Sequence, residues 1–379
     1  MTPKDVLTNP VFCPMPWTGL MYNFDGAVKN CIRSAGPIGN IQDQPIEQIL
    51  IENNQYKQTN IINQIPVDTC HTCYDLERGK KGFNHISDRV FYIRELKQTH
   101  MDTYQVGRFD LQTVDVRWTN LCNFACVYCG PEFSSKWANE LSVVQAVPTD
   151  EQRAHFKDHI LKNAPNFKHV YLAGGEPLLM RENLELLDRL DPAVTLRINT
   201  NLSKVDTRVF NRICEFKNVH WTVSAETMGA EFEYVRHGGK WADFLDNLTH
   251  IRQLEHKITF NMLYFLLNYR SLFDTVEYFQ NLGFHNNAFV IGALLRPEYL
   301  NIRHLPDDVL NYVKQTLTDK IDAGPGYLLE DSYRNLLSYI REPMEKNLSR
   351  SFEQLSILDK RRNLNSKEIF SNLYTLKGN

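Results

Sequence analysis

Between residues 112 and 294 the pattern of hydrophobic and polar positions switches between two periods. Short runs rich in β-branched and aromatic residues recur at 112–118, 169–173, 194–200, 220–225, 259–267 and 288–294, which is the pattern of strands. Between them, at 181–190, 204–216, 240–255 and 271–282, apolar residues recur at three- and four-residue steps. Leu184, Leu187 and Leu190 are an example. That spacing describes one buried face of a helix. Alternating strands and helices predict a parallel sheet with right-handed crossovers. Six such units are too few for a closed eight-fold barrel. The fold class expected is therefore α/β, a partial (βα)6 barrel with its site at the carboxyl ends of the strands.

The flanks read differently. Residues 1–100 carry the turn signals Asp25-Gly26, Gly36-Pro37 and Gly39-Asn40, hold four of the eight cysteines, and end in an expected helix over 88–98. After Leu305-Pro306 the chain reads as helical, with a break at 323–326. The expected domains are 1–100, 101–300 and a helical extension over 301–379. The richest apolar run, 258–267, is interrupted by Asn261 and falls short of the ~20 residues of a membrane span. The N-terminus lacks the apolar stretch of a signal peptide, so the expected compartment is the cytoplasm. Eight cysteines there mean metal binding or catalysis rather than disulfides. A formal net charge of −3 gives no general attraction to nucleic acid.

Cys122, Cys126 and Cys129 are spaced Cys-x3-Cys-x2-Cys directly after the first strand of the alternating region. Three thiolates on one short loop can hold three corners of an iron–sulfur cubane and leave the fourth iron open to a small molecule. A structural zinc ion would need a fourth ligand, for which the nearby Asn120 and Asn123 are poor. The loop Trp118-Thr-Asn-Leu-Cys-Asn-Phe-Ala-Cys-Val-Tyr-Cys129 resembles the cluster loop of the radical S-adenosylmethionine (SAM) superfamily. The resemblance implies a [4Fe–4S] cluster whose open iron is chelated by the amino and carboxylate groups of SAM. Electron transfer into the sulfonium would then give methionine and a 5′-deoxyadenosyl radical, with Tyr128 packed near the adenine. It implies an electron donor of flavodoxin or ferredoxin type.

Further elements fall at successive strand ends. Gly174, Gly175 and Glu176 resemble the family's Gly-Gly-Glu element, which receives the methionine amino group. Asn199, Thr200 and Asn201 end the third strand. Ser224 and Glu226 end the fourth, where the family places groups for the ribose hydroxyls and the polar tail of SAM. Arg236 matches a family arginine that pairs with the SAM carboxylate, a charge-assisted contact. Residues 290–294 would give apolar contact to adenine. Taken singly, Gly-Gly-Glu-Pro is an ordinary turn, and Ser224 with Glu226 is a helix cap and a first-turn acid. Their order along four successive strands is what favours the family reading.

Cys13, Cys31, Cys70 and Cys73 complete a second set. With Pro14-Met15-Pro16-Trp17, Asp25-Gly26, Gly39-Asn40-Ile41 and Glu77 followed by Gly79, they resemble twitch, the shorter form of the SPASM auxiliary-cluster domain. In the family this module usually follows the barrel; here it precedes it. The Asp25-Gly26 pair predicts a β-hairpin between the first two ligands. Gly79 and Gly82 stand where a full SPASM domain would carry more thiolates, so the resemblance implies one auxiliary [4Fe–4S] cluster and two clusters in all. Structural zinc is the alternative for four thiolates. Cys214 reads as a small buried hydrophobe, against a hydrogen-atom donor in an epimerase. The twelve histidines show no pair with trusted metal-ligand spacing.

The expected function is hydrogen abstraction from a C–H bond of a peptide or small-molecule metabolite, ending in a dehydrogenation or a cross-link. Redox-neutral epimerisation is the alternative, and a non-catalytic iron–sulfur electron carrier the third reading. Twelve residues precede Cys13, too few for a separate leader-binding domain, which weighs against a peptide.

Overall fold

The computed structural model describes residues 9–78, 87–95 and 104–378. Gly79, Gly82 and residues 96–98 of the expected helix lie outside them. The chain forms two compact units. The first comprises Met1–Leu121, Val144–Ile198 and Asp206–Val219, and the second Cys122–Val143, Asn199–Val205 and His220–Asn379. These divisions fall elsewhere than the expected boundaries near 100 and 300.

Nine strands occur among the described residues: β1 Gly19–Tyr22, β2 Ala27–Lys29, β3 Gly39–Asn40, β4 Thr113–Val116, β5 His169–Leu172, β6 Thr195–Thr200, β7 Val219–Ser224, β8 Lys257–Tyr264 and β9 Phe289–Ala293. In the first unit β4, β5 and β6 pair in parallel, with Val114 opposite Val170 and Val170 opposite Leu196. These three side chains are essentially inaccessible, as expected where helices cover a parallel sheet. In the second unit β7, β8 and β9 are parallel, with Val223 opposite Phe260 and Phe260 opposite Phe289. Phe260 also stacks on Phe279 of the helix Ser271–Asn281 at 4.2 Å between ring centroids. Helices follow each of the six strands β4 to β9, so the α/β class with six βα units is the one observed. Residues 301–378 are mostly helical, with the turn at 323–326 separating Asp307–Asp322 from Tyr327–Arg341.

The N-terminal cysteine region contributes strands to the first unit. β1 runs parallel to β4, Gly19 opposite Thr113 and Tyr22 opposite Val116, while β2 and β3 add antiparallel. The expected hairpin is present: Gly26 has φ +88°, a conformation glycine adopts at little cost. Its N–H donates to Asn23 O at 2.8 Å. Phe12, Trp17 and Tyr104 pack edge-on and stacked above Ile61 and Val67, forming a small core under this region.

Several boundaries differ from the sequence expectation, each for a local reason. The strand expected over 259–267 stops at Tyr264, because Asn268 folds back. Its Oδ1 accepts from Phe265 N–H at 2.8 Å and its Nδ2 donates to Leu263 O at 2.8 Å. The helix expected over 204–216 is Arg208–Ile213, and its start is set by the Thr207 hydroxyl accepting from Phe210 N–H. The helix over 181–190 ends at Leu187. Helix Asp150–Asn163 had a readable signal, a capping box between Thr149 and Gln152. Among the described residues no helix is long and apolar enough to cross a membrane.

Candidate functional site

In the second unit, Cys122, Cys126 and Cys129 are free thiols on the loop that follows β4. Backbone bonds fix this loop without calling on the sulfurs. Ala125 N–H donates to His237 O and Val127 N–H to Val235 O, both at 2.8 Å. Ser134 donates to Phe124 O at 2.6 Å and caps the helix Ser135–Leu141. The Trp137 indole donates to Cys126 O at 2.7 Å. Two side chains then aim N–H groups at the sulfurs: Asn201 Nδ2 lies 3.8 Å from Cys122 Sγ, and Arg236 Nη1 lies 3.9 Å from Cys126 Sγ. Burial pushes the Cys126 thiol up, with the Arg236 charge opposing, and burial likewise raises Cys129.

Behind the loop lies a buried ionic network. Arg236 holds both oxygens of Glu226, through Nε at 2.9 Å and Nη2 at 2.6 Å, with side chains 5% and 1% exposed. Tyr128 donates its hydroxyl to Glu226 Oε1 at 3.0 Å, and the guanidinium lies 5.8 Å from the Tyr128 ring centroid. Asn268 Nδ2 donates to Glu226 O at 3.1 Å. The sequence reading aimed Arg236 and Glu226 separately at SAM; in the structure each is the other's partner. A filled bidentate fork leaves Nη1, which faces Cys126.

Thr200 and Asn201 are used in their own turn, Thr200 Oγ1 accepting from Leu202 N–H and Asn201 Oδ1 from Ser203 N–H. Ser224 ends β7 opposite Asn261. Asn199 Oδ1 and Thr227 Oγ1 are buried with no hydrogen-bond partner among the described residues. Such atoms in a native site need explaining, and a polar ligand supplies one explanation. Thr227 and Asn268 were missed in the sequence, because nothing in their spacing distinguishes them from turn residues.

In the first unit, Gly174 has φ +114°, and a Cβ on Gly175 would lie 2.2 Å from Leu121 O. Glu176 N–H donates to that same oxygen at 2.7 Å, and its wholly buried carboxylate accepts from Leu178 N–H. The Gly-Gly-Glu turn is thus pressed against the residue that precedes Cys122.

Cys13, Cys31, Cys70 and Cys73 also lie in the first unit as free thiols. Ala35 N–H donates to Thr69 O at 2.8 Å, tying the Cys31 turn to the Cys70 turn. Burial raises the Cys13 thiol, and the charges of Cys31, Cys70 and Cys73 raise it further. Among the described residues no group of three or more His, Cys, Asp or Glu side chains is arranged to hold a metal ion; thiolates of a cubane each bind a separate iron instead of converging on one. Cys214 caps the end of helix Arg208–Ile213, half-buried, its thiol pushed up to about 11 by burial.

Residues 116–290 match the radical SAM superfamily, and residues 13–74 match SPASM, an iron–sulfur cluster-binding domain. The chain thus carries a radical SAM domain and a SPASM iron–sulfur cluster-binding domain. The superfamily match contains the triad and the candidate SAM contacts from Tyr128 to Arg236, while residues 291–294 lie beyond it, and the SPASM match contains all four N-terminal cysteines. The chain is 38% identical over 78 residues to the 7-carboxy-7-deazaguanine synthase of Clostridium acetobutylicum, a stretch that covers 20% of this chain and 31% of that protein. It is similar to the structure of anSMEcpe with bound AdoMet and a Kp18Cys peptide, with 13% identity, 57% of this chain and 62% of that one covered, and a TM-score of 0.40. It is also similar to Streptococcus suis SuiB bound to precursor peptide SuiA, with 14% identity, coverage of 77% and 67%, and a TM-score of 0.40.

Proposed function

We propose that the protein binds one [4Fe–4S] cluster through Cys122, Cys126 and Cys129 and a second through Cys13, Cys31, Cys70 and Cys73, and that it oxidises a substrate at a C–H bond. The observation that carries this reading is the triad loop itself: three free thiols on a backbone held independently of them, with Asn201 and Arg236 N–H groups aimed at two sulfurs. Such donors orient thiolate ligands and tune the group they hold. A cluster held by Cys122, Cys126 and Cys129 would, when bound, supply the reducing chemistry for SAM cleavage.

The chain's own residues bind, orient and exclude water. Glu226 and Arg236 neutralise one another behind the loop and fix Tyr128 by its hydroxyl. Asn199 and Thr227 offer the polar atoms left unpaired in this structure to the hydroxyls and polar tail of SAM, beside Ser224, Thr200 and Asn201 at their strand ends. Gly174, Gly175 and Glu176 take the methionine end; at Gly175 a Cβ would collide with Leu121 O. An electron donor of flavodoxin or ferredoxin type would supply the reducing electron. The substrate is a peptide or a small metabolite.

The N-terminal set distinguishes oxidation from isomerisation. Alanine at Cys13, Cys31, Cys70 and Cys73 is expected to leave SAM cleavage intact and to abolish substrate turnover, because an oxidised product needs an acceptor for the substrate's electron. Iron and zinc analysis with product mass spectrometry checks this. A product two hydrogens lighter supports the reading. Normal turnover by the quadruple variant, a product of unchanged mass, or one zinc per wild-type chain would each contradict it.

A further inference from the structure

The four-cysteine site contains a positive side chain that the function above does not use. Lys57 lies on the helix Gln55–Ile62 and is only 5% exposed. Its Nζ donates to Ser34 Oγ at 3.2 Å, and among the described residues it has no carboxylate partner. Ser34 belongs to the turn closed by Cys31, its N–H donating to Cys31 O at 3.2 Å, and Lys29 Nζ donates to Ser34 O at 3.0 Å. The Cys70 turn is tied to the next residue through the Ala35–Thr69 bond. Lys57 is therefore anchored where two of the four ligands meet.

The two arginines near the site differ from it. Arg33 pairs with Asp88 at 2.5 Å, and Arg89 pairs with Glu77. Lys57 has no such counter-ion, and a buried unpaired ammonium is costly. Burial pushes Lys57 below its ordinary value, while Cys70, Cys31 and Cys13 act to raise it. In turn, burial raises the Cys70 thiol, and the Lys57 charge is the largest opposing influence. An anionic group spread over these thiolates would supply the missing partner, because an iron–sulfur cluster with four thiolates carries net negative charge.

We propose that Lys57 is a positioning residue for the N-terminal cluster: its ammonium, anchored on Ser34 beside Cys31 and Cys70, raises the cluster's reduction potential and so favours its acceptance of one electron. The proposal rests on the four-cysteine site holding iron–sulfur. A fixed positive charge in a poorly screened interior stabilises the state that has gained an electron, and the potentials of such clusters follow net charge and hydrogen bonding.

The test is a redox titration of the anaerobically reconstituted full chain, followed by electron paramagnetic resonance, with iron content measured in parallel. K57M is expected to keep wild-type iron content and to make reduction of the N-terminal cluster at least tenfold less favourable, a downward shift of about 59 mV or more for a one-electron couple. The SAM-binding cluster should stay at its wild-type potential. K57R, which keeps the charge, should stay near wild type for both clusters. K57Q, which keeps a donor for Ser34 but not the charge, should shift as K57M does, and it decides the question if K57M does not fold. A wild-type couple in the uncharged variants, loss of the cluster from them, or an equal shift in K57R overturns the proposal. Failure of the underlying reading looks different: alanine at the four cysteines would then remove no iron.

Discussion

Replacing Cys122, Cys126 and Cys129 together by alanine is expected to remove about four of roughly eight irons per chain, the complement of one [4Fe–4S] cluster, and to abolish all SAM cleavage. The fold should survive, because the loop is held by the Ala125–His237 and Val127–Val235 backbone bonds and by Ser134 and Trp137. None of these involves a sulfur. Iron analysis, far-ultraviolet circular dichroism and product detection together separate loss of the cluster from loss of the fold. Retention of the full iron content by the triple variant would place the first cluster elsewhere.

The second large effect is expected at the buried pair behind the loop. Arg236→Met leaves the Glu226 carboxylate, 1% exposed in the intact pair, without its counter-ion. Breaking such a pair from one side typically costs about 3–5 kcal/mol, which chemical denaturation reads as a fall in the midpoint at unchanged slope. Substituting Glu226→Gln in the same chain removes the stranded charge and should restore more than half of the loss. The double variant is expected still to cleave SAM poorly, since Cys126 has lost the N–H that faced its sulfur. An Arg236→Met protein of wild-type stability would mean that the carboxylate finds another partner. The pairing also alters what the arginine was expected to do. Losing it should disturb the fold and the loop before it weakens contact with SAM.

The parts of the site that were legible in the sequence are those carried by spacing within a few residues. The Cys-x3-Cys-x2-Cys triad, the Gly-Gly-Glu turn and the Asp25-Gly26 hairpin each lie on one short segment, so their spacing can be read directly. The six parallel strands were legible because each is a short run rich in β-branched and aromatic residues bounded by turns. Pairings between distant segments were hidden. Nothing in the spacing of Glu226 and Arg236 says that the helix Gly229–Val235 turns the arginine back onto the carboxylate, since both residue types equally suit a polar ligand. Lys57 sits in a segment with little apolar periodicity, and only the folded structure shows that its stem runs inward to Ser34. The pairing of β1 with β4 was hidden for another reason. Gly19–Tyr22 is buried at all four positions and so lacks the alternation by which a half-exposed strand is recognised. Boundaries failed where one side chain decided them, as with Asn268 at the end of β8 and Thr207 at the start of Arg208–Ile213.

The central claim is that the Cys122–Cys126–Cys129 loop holds a cluster that cleaves SAM. Its most direct test is to incubate the anaerobically reconstituted wild-type chain with SAM and a strong reductant and to quantify 5′-deoxyadenosine and methionine. The account predicts both products in equal amounts, dependent on the reductant, and neither from the triple alanine variant. A fully iron-loaded wild-type protein that forms no 5′-deoxyadenosine, or a triple variant that forms as much as wild type, would contradict it.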